Sequence, residues 1–269
     1  MERSIIEVKG MSFRYGNNYI FRDFDLEIES GSFVCIIGRN GSGKSTLAKI
    51  LIGLYQASGY INIDNYLLNN HFIKKIRRVF SVCFDNAEEH FIGETVKDDL
   101  AFSLENLEYS KEEMESVISN ISKKFKLDGV LEKSSDELNS SEREKVAILS
   151  SIIHEPKILL LDESIHKLNA SDKKLVFKVL KEYQKEKNMT IILITHNLED
   201  TLYSDRIVVL DSGHIIFDNT KENIYKDDRL EKLGFNLPFI VKLSHNLMLY
   251  DLIDRVYFVE KELVNKLWN

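Results

Sequence analysis

The sequence predicts an α/β fold in which a mostly parallel core sheet follows an antiparallel β subdomain and carries a helical insertion and a short C-terminal extension. Three observations predict it. FVCIIG (33–38), KILLLD (157–162) and TIILIT (190–195) are continuously apolar, as strands buried on both faces must be. They alternate with segments of helical spacing, KSTLAKILIGL (44–54) and a stretch near 171–187, the order that builds parallel sheets. The opening stretch instead alternates apolar and polar residues, Ile6 and Val8, then Phe13 and Tyr15, a GNN turn at 16–18 and FRDFDLEIE, the pattern of an antiparallel hairpin.

The remaining elements follow in order. From 97 to 136 the chain is charged and helix-prone, and KEEMESVISNISKKF (111–125) places Met114, Val117, Ile118 and Ile121 on one face, a helical insertion. A further helix runs to Ile153. RIVVL and HIIFD, joined by Asp211, Ser212 and Gly213, read as a terminal hairpin, and the last 50 or so residues as a less regular tail.

Composition bounds the function. Of the 269 residues 43% are hydrophobic and 29% charged, enough for a full core, and the net charge of −7 disfavours a nucleic-acid partner, which needs a basic surface. Cys35 and Cys83 sit in apolar runs without metal-site or disulfide spacing, so a reducing, cytoplasmic compartment is expected. MERSIIEVKG lacks the apolar core of a signal peptide, and no run reaches the roughly 18–20 apolar residues that span a bilayer. Membrane association is therefore expected to come through a partner.

Chemistry concentrates at three places. GRNGSGKST, from Gly38 through Arg39, Asn40, Gly41, Ser42, Gly43, Lys44 and Ser45 to Thr46, fits G-x-x-x-x-G-K-[ST] between a buried strand and a helix. Glycines there let backbone N–H groups converge on phosphate oxygens, and the helix N-terminus adds its dipole. Lys44 suits the terminal phosphates, and Ser45 offers a hydroxyl to Mg²⁺, a hard cation that prefers oxygen. Asp162 and Glu163 end a buried strand, where ligands bind in open α/β sheets. Asp162 suits the Mg²⁺ site and Glu163 a general base for the attacking water. His196 ends another strand, where it could touch the γ-phosphate; a lone histidine is usually structural, and the strand context favours the functional reading.

The order of these elements resembles the ATP-binding cassette (ABC) ATPases, a branch of the P-loop NTPases, over roughly residues 4–225. More narrowly, HFIGETVKDDLAFSLEN (90–106) and LEKLGFNLPFIVKLS (230–244) resemble the ATPase subunits of energy-coupling factor transporters, which take up vitamins or metal ions. The resemblance implies an ATPase domain over 1–225, with its helical subdomain at about 86–155, and a C-terminal extension over 226–269 that serves dimerisation. It implies ATP and Mg²⁺, with Tyr15 as the aromatic that stacks on adenine. It also implies a second ATPase subunit, a transmembrane scaffold and a membrane-embedded substrate-binding subunit, with this chain peripheral on the cytoplasmic face of the membrane.

Departures from the family pattern carry the finer expectation. In ABC ATPases each ATP lies between the phosphate loop of one subunit and an LSGGQ signature of the other. That signature falls here at Leu138, Asn139, Ser140, Ser141 and Glu142, with no glycine. Serine Cβ atoms restrict close backbone approach, and Glu142 brings a like charge toward the polyanion. A plainer reading makes Ser141-x-x-Glu144 a capping box that only starts the helix. The S-x-L-D loop reads His166, Lys167, Leu168 and Asn169, and the Q-loop glutamine aligns with Asp85, which could ligate Mg²⁺ through oxygen but has no amide donor. The acidic Glu88–Glu89 run beside it reads equally as solvated surface. Together these imply one half of an asymmetric heterodimer whose own site is intact and whose signature is degenerate. The alternative is a nucleotide-binding subunit with little hydrolysis that gates the dimer.

Overall fold

A computed structural model describes residues 3–85, 91–105, 107–226 and 229–268. Residues 86–90, with the Glu88–Glu89 run and the first residues of the expected helical subdomain, lie outside them.

The opening hairpin is long. β1 (Ser4–Tyr15) and β2 (Asn18–Glu29) pair antiparallel around the expected turn, and β4 (Ser58–Ile63) and β5 (Tyr66–Leu67) complete a four-stranded sheet in the order β2-β1-β4-β5. The second sheet has six strands. β3 (Phe33–Gly38), β6 (Phe80–Phe84), β7 (Ile158–Asp162), β8 (Thr190–Thr195), β9 (Arg206–Asp211) and β10 (His214–Thr220) take the order β10-β9-β3-β8-β7-β6. All neighbours are parallel except the terminal β9–β10 hairpin.

Alternation along the buried strands divides the core in two. Cys35, Ile37, Leu159, Leu161, Ile191 and Leu193 point to one face, toward the helices; Val34, Ile36, Leu160, Ile192 and Ile194 point to the other, toward the antiparallel sheet. Each such side chain contributes about 1.5–3 kcal/mol by leaving water. A slip of one residue would exchange the two faces, so the register is held firmly. That register (Phe84 beside Asp162, Asp162 beside Ile194, Gly38 beside Leu210) brings the C-terminal ends of the strands to one edge.

The helices lie where the spacing puts them. α1 (Lys44–Leu51) leaves the glycine loop, α2 (Ile73–Val79) precedes β6, and α3 (Val96–Glu105) and α4 (Lys111–Phe125) form the insertion. α5 (Ser140–Ile152) and α6 (Ala170–Lys187) precede β7 and β8. The tail holds more regular structure than the sequence suggests: α7 (Lys221–Ile224), α8 (Arg229–Lys232), α9 (Phe239–Leu249) and α10 (Glu260–Trp268). Tyr225, Leu230, Leu237, Ile240, Val241 and Leu263 from this region join the main core.

Candidate functional site: the nucleotide pocket and the signature face

The phosphate loop leaves β3 and turns into α1 through Gly43, whose φ of +107° lies in the left-handed region and whose added Cβ would sit 2.8 Å from Phe21 Cζ. A side chain there would meet both backbone strain and a core ring. Lys44 Nζ donates to the carbonyls of Gly38 (2.8 Å) and Arg39 (3.1 Å), folding back across the loop it serves. Burial lowers the Lys44 ammonium below the ordinary lysine value, while Glu163 and Asp162 pull it back up.

Ser45 Oγ donates to Asp162 Oδ1 at 3.2 Å, joining the first turn of α1 to the end of β7. Burial pushes the Asp162 carboxyl up, with Glu163 adding to it, against the Ser45 hydrogen bond and the nearby lysines. Glu163 takes a left-handed φ of 57°, its N–H donates to Ile194 O at 3.0 Å, and its Oε2 meets His196 Nδ1 at 2.8 Å. A non-glycine residue in that region is strained, and its carboxylate is held at the strand edge by the neighbouring strand. Tyr15 is half exposed; its hydroxyl lies 3.5 Å from Thr46 Oγ1 and its ring packs edge-on against Phe13 and Tyr55.

The expected residues of this chain's own pocket, Lys44, Ser45, Asp162, Glu163 and His196, therefore meet at one edge of the sheet. Tyr55 was not expected; the residues after α1 carry no motif, and only its ring against Tyr15 places it beside the loop. Asp85 directly follows β6, whose Phe84 lies beside Asp162. The Asp85 carboxylate lies 3.3 Å from His166 Nδ1 and 3.7 Å from Lys167 Nζ, and its carbonyl accepts from Lys167 at 3.2 Å.

The residues fit the substrate and the cation. A cationic Lys44 over loop carbonyls, a buried Ser42 Oγ with no partner in the loop, and a serine–aspartate oxygen pair are what phosphates and a hard cation require. Among the described residues no group of three or more His, Cys, Asp or Glu could hold a metal ion. Ser45 and Asp162 would hold Mg²⁺, which would supply charge neutralisation on the phosphates. The arrangement can cradle phosphates with Lys44 and the loop, and Glu163, braced by His196, can accept a proton from water.

The other face differs. Asn139 N-caps α5: its Oδ1 accepts from Glu142 N (2.9 Å), and Glu142 Oε2 accepts from Asn139 N (3.0 Å). The capping box thus begins at Asn139, and the Ser141-x-x-Glu144 reading is corrected. Glu144 lies two residues beyond Glu142, fully buried in the helix body. Ser140 is exposed, whereas Ser141 turns its hydroxyl inward to Asp172 Oδ2 (2.6 Å), where Asn169 and Lys145 also converge. Asn139, Ser141 and Glu142 thus turn polar atoms to partners within this chain, and Ser140 stands exposed.

Glu144 has a consequence of its own. Neither carboxylate oxygen finds a partner, and burial raises its pKa to about 7, with Lys167 opposing and Asp85 adding to the shift. Because the folded value lies above the ordinary one, the protonated form favours the fold. Its stability is full below about pH 4.5 and is lost as pH rises through about 7. Urea unfolding should show that Glu144→Gln removes a loss on the order of 2 kcal/mol between pH 5 and pH 8; parallel pH curves for the two proteins would contradict it.

A glycine-rich loop at a strand end, a strand-end acid pair and a histidine that meets it define an ATP-hydrolysing P-loop protein. The profile of the ABC transporter family matches residues 21–166. The chain is 35% identical to the energy-coupling factor transporter ATP-binding protein EcfA1 of Mesomycoplasma hyopneumoniae, over 98% of this chain and 97% of that one. It is also 35% identical to the protein of that name from Ligilactobacillus salivarius, over 97% and 95%. The structure of CbiO1 from Clostridium perfringens, part of the ABC transporter complex CbiONQ, superposes with a TM-score of 0.78 at 26% identity, over 91% of this chain and all of that one. A dimeric ATP-binding cassette in a post-hydrolysis state with ADP and Pi shares the fold, with a TM-score of 0.70 over 80% of this chain and 98% of that one. The chain belongs to the ABC transporter ATPases and, among them, to the energy-coupling factor ATP-binding subunits.

Proposed function

We propose that this chain is one of two unlike ATPase subunits of an energy-coupling factor importer of a vitamin or metal ion, peripheral on the cytoplasmic face of the membrane. It hydrolyses ATP at its own phosphate loop against the intact signature of a second ATPase subunit. The observation that carries the reading is the contrast between faces. Ser45 with Asp162 and Glu163 with His196 stand together, whereas Asn139, Ser141 and Glu142 spend their polar atoms inside this chain. A transmembrane scaffold and a membrane-embedded solute-binding subunit complete the assembly; among the described residues no helix is long and apolar enough to cross a membrane.

We assign residues 1–225 to the ATPase domain, with a helical subdomain at about 86–155, and 226–269 to pairing between subunits. Exposed apolar side chains in the last segment support that assignment: Leu249 is 80% exposed, Trp268 79% and Tyr250 76%. A second reading, nucleotide binding with little hydrolysis, is favoured by Asp85, whose partners His166 and Lys167 hold it in place of a water-positioning amide.

Affinity capture of this chain from detergent-solubilised membranes tests the assembly. We expect a polytopic membrane protein and a second cassette with a glycine-containing signature in defined proportion. Recovery of this chain as a self-pair free of membrane proteins would contradict it.

A further inference from the structure

Two hydrogen bonds tie the tail to this chain's own pocket, one on each side of it. Arg39, inside the phosphate loop, turns its guanidinium away from the loop, and Nη2 donates to Leu233 O at 2.5 Å. Six residues further on, Phe239 N, at the start of α9, donates to Glu199 Oε1 at 2.8 Å. Glu199 lies three residues beyond His196, in a 3-10 turn (Leu198–Tyr203) whose first residues are fixed by Asn197 Oδ1 accepting from Glu199 N and by Asn197 N donating to Thr195 Oγ1.

The stretch between the anchors is shaped for this span. Gly234 has a φ of +83°, and a Cβ on it would lie 3.0 Å from Arg39 Nη2, so a side chain would strain the backbone and crowd the guanidinium. Leu237 and Pro238 are buried, pinning the middle, while Asn236 is exposed. The backbone carbonyl of Arg39 is also one of the two acceptors that hold Lys44 Nζ. One residue thus contacts the tail through its side chain and the phosphate-binding lysine through its main chain.

We infer that residues 233–239 form a strap that senses the nucleotide in this chain's own pocket, with Arg39 and Glu199 as positioning residues at its two ends. When phosphates fill the loop between Arg39 and Lys44 and reach the His196 end of β8, the loop backbone closes on them, both anchors become more ordered, and the strap between them is held more tightly. Linkage makes the coupling reciprocal: the factor by which ATP suppresses strap opening is the factor by which a closed strap tightens ATP binding. Neither anchor takes part in the chemistry, and the tail gains a route by which ATP occupancy reaches the segment assigned above to pairing. The inference rests on the assignment of the pocket, and it is separable from the unlike-pair reading because it needs this chain alone.

Hydrogen–deuterium exchange of the full chain, with and without Mg²⁺–ATP, tests it; a fluorescent ATP analogue reports occupancy independently. We expect ATP to slow exchange at the Gly234–Phe239 amides by about fivefold or more. Arg39→Ala and Glu199→Ala should each abolish that slowing at saturating nucleotide and weaken ATP affinity by the same factor. Glu199→Gln, which keeps an acceptor for Phe239 N, should restore it, a rescue that loss of general stability would not give. Strap exchange unchanged by bound ATP, or slowed equally in both alanine variants, would overturn the inference.

Discussion

Glu163→Gln in this chain alone is expected to cut ATP turnover of the two-subunit assembly by about 10²–10⁴-fold, the range of a lost general base. The geometry makes the substitution clean. Glu163 is placed by its left-handed backbone and by its N–H donated to Ile194 O, neither of which involves the carboxylate. The amide keeps the size of the acid and can still bond His196, 2.8 Å away, so what is lost is basicity. ATP binding should be spared because Lys44, Ser45 and Asp162 stay in place. Phosphate release and equilibrium binding of a fluorescent ATP analogue check the two halves of this expectation. Turnover that survives the change would remove Glu163 from the base role.

Restoring a glycine signature, by Asn139→Ser, Ser140→Gly, Ser141→Gly and Glu142→Gln together, should act in the opposite sense on the self-paired chain. Backbone N–H groups would gain close approach to the nucleotide across the pair, and Glu142's charge would be gone. Recovering one preorganised donor is worth about 10²–10³ in turnover. Stability should move the other way. Two glycines in the first turn of α5 cost about 1 kcal/mol each. The hydroxyl of Ser141 on Asp172 is lost as well, a charged hydrogen bond worth about 1.5–3 kcal/mol. The cap survives, since serine and glutamine also form a capping box. A variant less stable by about 3–5 kcal/mol and yet faster would show that this face is built for its own chain; a variant both less stable and no faster would show that the signature is not what limits the self-pair.

The pocket was legible because its chemistry is local. GRNGSGKST announces its own turn, and ILLLDE and TIILITH end buried strands whose parallel register leaves their last residues at one edge. The hairpins and the amphipathic α4 were legible for the same reason: their periods are short. What the sequence did not reveal depends on contacts between distant segments. Tyr55 joins Tyr15 only after α1 is folded onto the antiparallel sheet. The cap of α5 was placed two residues late because Ser141-x-x-Glu144 and Asn139-x-x-Glu142 satisfy the same pattern. Only the burial of Glu144 and the pull of Asp172 on Ser141 decide between them. The tail looked irregular because α7 and α8 are four residues each, too short to show a period, and they are held by burial of Tyr225 and Leu230.

The inequality between the two faces is tested most directly by phosphate release from the purified chain, alone and after addition of a second cassette with a glycine-containing signature. Alone it should turn over ATP at or near background. With the partner, turnover should rise by about 10²-fold or more, and most of that rise should vanish when only this chain carries Glu163→Gln. Turnover by the chain alone that equals the mixture would mean that both pockets of a self-pair are competent, and would contradict the assignment of a working pocket joined to a disabled signature.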